Sequence, residues 1–556
     1  MLALLLLTSW FQEVASAASP MGADAHVLLR EESVIMDQTG RQTITTRGVV
    51  RILTPAGAHH ARAGVAYDSA AGQLLEFRAW VQAPGGEAHE IDPQEFIDRP
   101  LSPAELHSPL RQRQIEANAP PGSVFFYQST VVAPAAFPQV EFEFQESELP
   151  VHLSRFRLSA PAGWEVQAIS FGSSPHRAGN TWELRQLPAR PAQLPRLALT
   201  LLPNQPALPR FATWSDVAGW LATRSDAAAQ PTPPVIAQAE SLTAGLTTPQ
   251  QRIQALAAYV QGLRYVAINQ NLGQGGGFTP APAATVLSRG YGDCKDKATL
   301  LRALLRAVNI NSWLVATNSS DRARVRPEWP SPRVFNHAII AIEAPSGLLY
   351  FDPSDPHHAL GGLPPALQGA PALFLRSGAS LAMTPEQAGA IERQITLRLE
   401  HDGRVSGKIL ETAHGSAAAA TRALVAAEMY DSYLSSRLGI QVTQLKIQDS
   451  FPEDGLHMYV EYEQAAPVAT AGPLHVWKPL LPWLELPGPV AVNETVTIEL
   501  HPRWIVEEMP EPVQSASFSG AWFLEDGKLI INRQLRPSSA GVIPVERLPI
   551  VLRQER

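Results

Sequence analysis

Tyr291-Gly292-Asp293-Cys294-Lys295-Asp296-Lys297-Ala298 holds the only cysteine in a chain of 556 residues. From Cys294 onward, Ala298, Leu301, Leu305 and Val308 recur at helical spacing with Leu304 beside them. Lys295, Thr299, Arg302 and Arg306 fall on a second, polar stripe, which together with the apolar one predicts an amphipathic helix. Asp293 is suited to cap that helix and Asn309 to end it in the left-handed conformation. The thiol is thereby expected in the first turn, where unpaired N–H groups and the helix dipole favour a thiolate. Taken alone, a single cysteine reads first as a small buried hydrophobe. It does exclude internal disulfides, CxxC redox pairs and multi-cysteine zinc sites.

A thiolate nucleophile needs a base, and the base needs a group to orient it. Val334-Phe335-Asn336-His337-Ala338-Ile339-Ile340-Ala341-Ile342 reads as a strand carrying one imidazole. Pro345-Ser346-Gly347 then turns the chain back into Leu348-Leu349-Tyr350-Phe351-Asp352-Pro353. In such an antiparallel hairpin His337 and Asp352 are opposite or diagonal neighbours, within side-chain reach. Lys295 and Asp296 read as a solvated helix face. Asp352, ahead of a proline, also has the simpler reading of a turn starter.

Gly-Asp-Cys-Lys-Asp-Lys-Ala, followed by Phe-Asn-His-Ala on a strand and then Phe-Asp-Pro, resembles the transglutaminase-like branch of the papain-like cysteine superfamily. The resemblance runs from about Ile253 to Leu375 and includes Arg264-Tyr265-Val266. It implies Cys294 as nucleophile, His337 as base and Asp352 as orienting acid, with acyl transfer or hydrolysis at carboxamide or peptide bonds as the chemistry. The flanks are similar to a bacterial architecture with an uncharacterised β-rich N-terminal domain and a β-rich C-terminal domain. Asn309 stands where relatives often have glycine, which touches only a helix cap. The motif does not choose between transglutaminase, amidase and protease, and it does not place a second oxyanion-hole donor.

Outward from this core the chain turns β. Thr43–Leu53, Val124–Thr130 and Val151–Leu158 read as strands of a β-sandwich-like domain. Asp402-Gly403 and Asp526-Gly527 mark hairpins in the C-terminal part, with an alanine-rich helix expected over Ser416–Leu434 between them. Pro203–Pro209 reads as a linker. Thr248, Pro249 and Gln251 form the start of a capped helix, and Arg264–Ile268 a short strand. The expected class is therefore α+β: a papain-like, transglutaminase-like core (210–378) between two β-sandwich-like domains (22–205 and 385–556).

Composition sets the remaining bounds. Charged residues are 17% and the formal net charge is -8, so there is no electrostatic reason to expect nucleic acid as a partner. Gly273–Gly277 lacks the Lys-Ser or Lys-Thr of a phosphate loop. His59-His60 and His357-His358 lack a third ligand at metal spacing, and no G-x-S-x-G element is present. Neither cofactor nor metal is expected, and the partner is expected to be a protein or peptide substrate, with cell-envelope peptides as candidates. Leu2–Phe11 is apolar, too short to span a bilayer, and followed by Ala15-Ser16-Ala17. Residues 1–17 thus read as a signal peptide without its usual leading positive charge, which predicts a periplasmic or secreted protein with no integral membrane span in the mature chain. The competing class is a non-catalytic cell-envelope scaffold whose transglutaminase-like core is inert.

Overall fold

The computed structural model describes residues 10–101, 105–106, 109–133, 137–145, 148–189, 193–204, 208–268, 277–438, 440–464, 468–471, 474–477, 489–536 and 550–554. Most of the expected leader run (residues 2–9), part of the expected linker (205–207) and most of the glycine loop (273–276) lie outside these residues.

In the N-terminal part, β-branched and aromatic runs form an eight-stranded sheet. Ala25–Met36 lies antiparallel to Gln42–Ile52 and parallel to Val151–Ser159, and Gln42–Ile52 pairs in turn with Val124–Ala133. Gln139–Glu143, Arg196–Leu202 and Glu165–Phe171 form a smaller sheet. Phe142, Phe144, Phe156, Trp182, Leu199 and Leu201 are buried between the two, as in a sandwich. A further sheet has Arg62–Asp68 at its edge, then Leu110–Glu116, then Ile97–Pro100. Residues 10–15 are helical. Trp10 and Val14 sit among Leu28, Leu29, Trp80 and Phe126, Glu13 pairs with Arg155, and Arg51 donates to the Ala15 and Ala17 carbonyls.

The middle part sets helices against a five-stranded antiparallel sheet in the order Gly347–Phe351, His337–Ala344, Ser312–Thr317, Pro371–Phe374, Leu381–Met383. Its central helix, Cys294–Ala307, is enclosed by the Pro233–Thr243, Pro249–Gln261 and Ala283–Arg289 helices and by the strands Ser312–Thr317 and His337–Ala344. The capping box at Thr248 forms in both directions, with Gln251 N–H on the Thr248 hydroxyl and Thr248 N–H on the Gln251 amide oxygen. One expectation is overturned: Asp296 is not on a solvated face, and Lys295 beside it is only partly exposed. Asp296, Lys297, Thr299 and Arg302 are all buried. Packed by protein on most sides, the helix sets Asp296, Lys297 and Arg302 against protein partners, while the buried Thr299 hydroxyl has none among the described residues. Arg302, for example, donates to the Ser312 carbonyl and pairs with Asp226.

The C-terminal part is a second β structure, an eight-stranded sheet with a four-stranded one beside it. Gly389–Leu399 and Val405–His414 are joined across Asp402-Gly403, and Phe518–Glu525 and Lys528–Leu535 across Asp526-Gly527. Asp526 and Gly527 both have positive φ (49° and 73°), the conformation that a two-residue hairpin turn demands. The alanine-rich segment is not one helix. It breaks into Ser416–Ala426 and Tyr430–Leu438, with Glu428 in the left-handed region between them (φ 57°). No helix among the described residues is long and apolar enough to cross a membrane.

Candidate active site

The start of the central helix is fixed by three consecutive devices. Gly290, at φ 72°, ends the preceding Ala283–Arg289 helix. Tyr291–Gly292 then pairs in parallel with Arg264–Tyr265. A Cβ on Gly292 would stand 2.8 Å from the Cβ of Asp296, so the chain passes there only without a side chain. Asp293 caps the helix as expected, accepting the Asp296 N–H at 3.1 Å. Burial raises the Asp293 carboxyl above its ordinary range even though Lys295 pairs with it. Lys295 also reaches the Ile268 carbonyl at 3.3 Å, and Asp296 is held by Arg289 and accepts the Ala281 N–H. Both are structural parts of the helix start, not the solvated face the sequence suggested.

His337 opens its strand opposite Thr317. The hairpin register pairs Ile340 with Phe351, which puts Asp352 diagonal to His337 just past the strand end. Their side chains meet, with His337 Nε2 2.7 Å from Asp352 Oδ2. The other carboxylate oxygen accepts the Ser354 N–H at 2.9 Å and its hydroxyl at 2.6 Å, so Asp352 is held on both sides. Burial disfavours a charged His337. The Asp352 carboxylate and a hydrogen bond with the Cys294 side chain outweigh it, and the imidazolium persists well above the usual histidine range. Asp352 holds the imidazole directly, and Cys294 and His337 line the same cleft.

Lys297 was not singled out from the sequence. It lies on the central helix three residues after Cys294, is 1% exposed, and donates to the carbonyls of Gln261 and Leu263 at 3.1 and 2.8 Å. Burial lowers it to about 8, against the pull of the Asp352 and Asp355 carboxylates. A lysine three and four residues ahead of two buried leucines, Leu300 and Leu301, was the available signal.

Cys294 and His337 open on a cleft of about 360 Å³, with Tyr265, Phe278 and Phe335 among its walls, while Asp352 stands behind the imidazole. The walls are mostly apolar with a few polar groups at the thiol, a form suited to a small number of directed contacts. Among the described residues no group of three or more histidines, cysteines or acids is placed to hold a metal ion. His358 lies against Asp355 and His59 stacks on His60.

A helix-borne thiol facing a hairpin-borne His–Asp pair, on an α+β core with β-rich flanks, defines a papain-like cysteine fold. Residues 236–353 match the transglutaminase-like superfamily, and residues 38–191 match the domain of unknown function DUF3857. The chain therefore carries a transglutaminase-like core behind a DUF3857 domain. It is similar in fold to a "putative protease" from Parabacteroides distasonis, at 12% identity and a TM-score of 0.65, over 95% of this chain and 99% of that one. A "putative cysteine protease" from Cytophaga hutchinsonii aligns at 11% identity and a TM-score of 0.17, over 56% of this chain and 76% of that one. No curated protein matches the chain.

Proposed function

We propose that the protein is a cysteine-dependent acyl-transfer enzyme acting on carboxamide or peptide bonds. The observation that carries this reading is the 2.7 Å contact of His337 with Asp352 beside the Cys294 thiol at the cleft wall. Cys294 gives its proton to His337, and its sulfur attacks the carbonyl carbon. The carbonyl oxygen takes negative charge beside the Cys294 N–H, which, at the first helical position, has no acceptor within the helix. The carbon–nitrogen bond then breaks, the amine leaves with the proton from His337, and a thioester remains on Cys294. Water, or a second amine, gives a proton to His337 and attacks the thioester, returning the thiol. Asp352 keeps the imidazole in the productive orientation and balances its charge.

The substrate class is a protein or peptide, and the site of action is the cell envelope, periplasmic or secreted. Ala15-Ser16-Ala17 after an apolar run supports the location. Incubation with an electrophilic peptide probe should label Cys294 in the folded protein and abolish turnover of envelope peptides. Cys294→Ser should retain the fold and lose both. A folded protein whose Cys294 reacts only as an ordinary thiol would leave the inert-scaffold reading in its place.

A further inference from the structure

The thiol cleft does not end at the middle domain. Phe278 and Asn336 line it and also line a second, larger cleft of about 990 Å³ between the N-terminal β domain and the middle domain. Asn336 directly precedes His337 in the chain, so the two clefts join beside the imidazole. One face of the large N-terminal sheet, including Ile44, Thr46 and Ser129, forms the floor of the larger cleft. Gly64–Asp68 forms part of one wall, and the segment from Asn318 to Asn336 contributes the other.

The two parts that make this groove are held together by buried contacts. Gln139 donates to the Pro330 carbonyl and accepts from the Ser331 hydroxyl, and Trp329 Nε1 donates to the Thr200 hydroxyl. The groove is therefore built into the fold.

Two features of its walls point to an occupant. Arg62–Asp68 is an edge strand, paired among the described residues only with Leu110–Glu116. An edge strand beside a groove offers main-chain donors and acceptors to an extended chain. The second feature is Arg333. Its guanidinium stacks 5.3 Å over the Phe137 ring and has no ion-pair partner among the described residues. Glu141, the carboxylate whose charge acts on Arg333, is already taken by Arg196 and Arg324 at 3.0 and 2.7 Å. The cleft's other cations are engaged: Arg324 with Glu141, and Arg30 on the Glu143 carbonyl. Of the acids that line the cleft, Asp68 accepts the Ala70 and Ala71 N–H groups and Asp321 the Ala323 N–H, and neither pairs with Arg333. Arg333 is exposed to the cleft, so its unpaired guanidinium is open to a carboxylate that a ligand supplies, in the bidentate geometry that arginine favours.

We propose that this inter-domain cleft is the distal half of the substrate groove, that it takes an extended peptide alongside Arg62–Asp68, and that Arg333 selects a carboxylate on that peptide. The DUF3857 domain then supplies substrate recognition to the transglutaminase-like core. This rests on the acyl-transfer reading of Cys294, which the test can lose separately.

The probes are peptidyl vinyl sulfones of two to five residues, with a single Glu or its isostere Gln walked along the chain. The rate of Cys294 labelling is divided by the rate with iodoacetamide, which needs no groove. Wild type should favour Glu over Gln roughly tenfold at one position, the scale of a charge-assisted hydrogen bond. Arg333→Gln should bring that ratio close to one, and Arg333→Lys should restore part of it. N-methylation at alternate peptide nitrogens should slow labelling where the strand pairs. A Glu preference that survives Arg333→Gln, no preference at any position, or tolerance of every N-methyl group would overturn the groove. If no peptide labels Cys294 faster than iodoacetamide does, and Cys294 alkylates like a free thiol, the acyl-transfer reading falls and takes the groove with it.

Discussion

His337 and Asp352 meet on a diagonal of their hairpin, at 2.7 Å, with Asp352 clamped from behind by Ser354. A diagonal partner reaches the imidazole from one side and leaves the rest of the ring edge for Cys294. The clamp means that the carboxylate does not have to be recruited when His337 takes a proton. That arrangement has consequences for both stability and reactivity.

The folded imidazolium is favoured above its ordinary value, so the pair stabilises the fold fully below about pH 6.5, the unfolded histidine value, and loses that contribution as pH rises through the higher folded value. His337→Gln should therefore cost more stability at pH 6 than at pH 9, read as urea midpoints at both. Iodoacetamide alkylation of the single cysteine provides the second readout. His337→Gln should slow it most at pH 6 to 7, where the ring is charged, and Asp352→Asn should slow it less. Identical alkylation profiles for wild type and both variants would mean that His337 does not act on Cys294.

Lys297 has the opposite sign. Its folded value of about 8 lies below the ordinary 10.5, so between those two limits the unfolded chain holds more protons and stability rises with pH. Below about pH 8 the charged lysine carries its full burial penalty, at most about 3 kcal/mol from a shift of this size. Lys297→Met removes this dependence together with the bonds to the Gln261 and Leu263 carbonyls. Relative to Lys297→Met, the wild type should gain stability from pH 8 to 10.5, measured as the difference in urea unfolding free energy. A flat difference across that range would place the lysine in water.

Much of this site was legible because it depends on short-range signals. Asp293 as a cap, Asn309 in the left-handed region and the turn before Gly347 are each decided by a few neighbouring residues. The surroundings of the helix were not legible in the same way. Lys295, Asp296 and Arg302 carry the periodicity of a wet face, and only the tertiary packing of three helices and a sheet reveals that their partners are Asp293, Arg289 and Asp226. Helical amphipathicity measures where charge lies on a cylinder, not whether water reaches it. The break at Glu428 escaped for a related reason. Alanine-rich composition reports helix propensity but contains nothing against an interruption that packing imposes.

Gly292 offers a test that leaves every ionisable group in place. A methyl group there would meet Asp296 Cβ at 2.8 Å, with Val286 Cγ1 and an Arg289 guanidinium nitrogen each at 3.4 Å, and the first two set the limit. Neither of those two is the loose end of a long side chain, so the helix start must shift. Gly292→Ala is expected to cost about 1–3 kcal/mol, the range for overpacking a tight site. Because Asp293 and Cys294 follow directly, it should also slow alkylation of the thiol. A stable variant with wild-type alkylation would show that the helix start has room to move.

The N-terminus carries the sharpest competition between two physical demands. An apolar run ahead of Ala15-Ser16-Ala17 predicts cleavage and an exported chain beginning near Ala18. Yet residues 10–17 are docked: Trp10 and Val14 fill an apolar site, and Phe11 stacks on Phe126 at 4.6 Å. Glu13 pairs with Arg155, which also binds Glu31 and Glu183. Cleavage would uncover Trp80 and Phe126 and remove one acid of the three around Arg155. The mature chain should consequently bind the apolar dye ANS more strongly than a variant kept whole by Ala17→Pro, and it should unfold at a lower urea concentration. N-terminal sequencing of protein from the native host decides the first point, and an intact residue 1 on cytosolic protein would end the export reading. Equal dye binding and equal stability of the two forms would mean that the docked segment contributes nothing to the folded sheet.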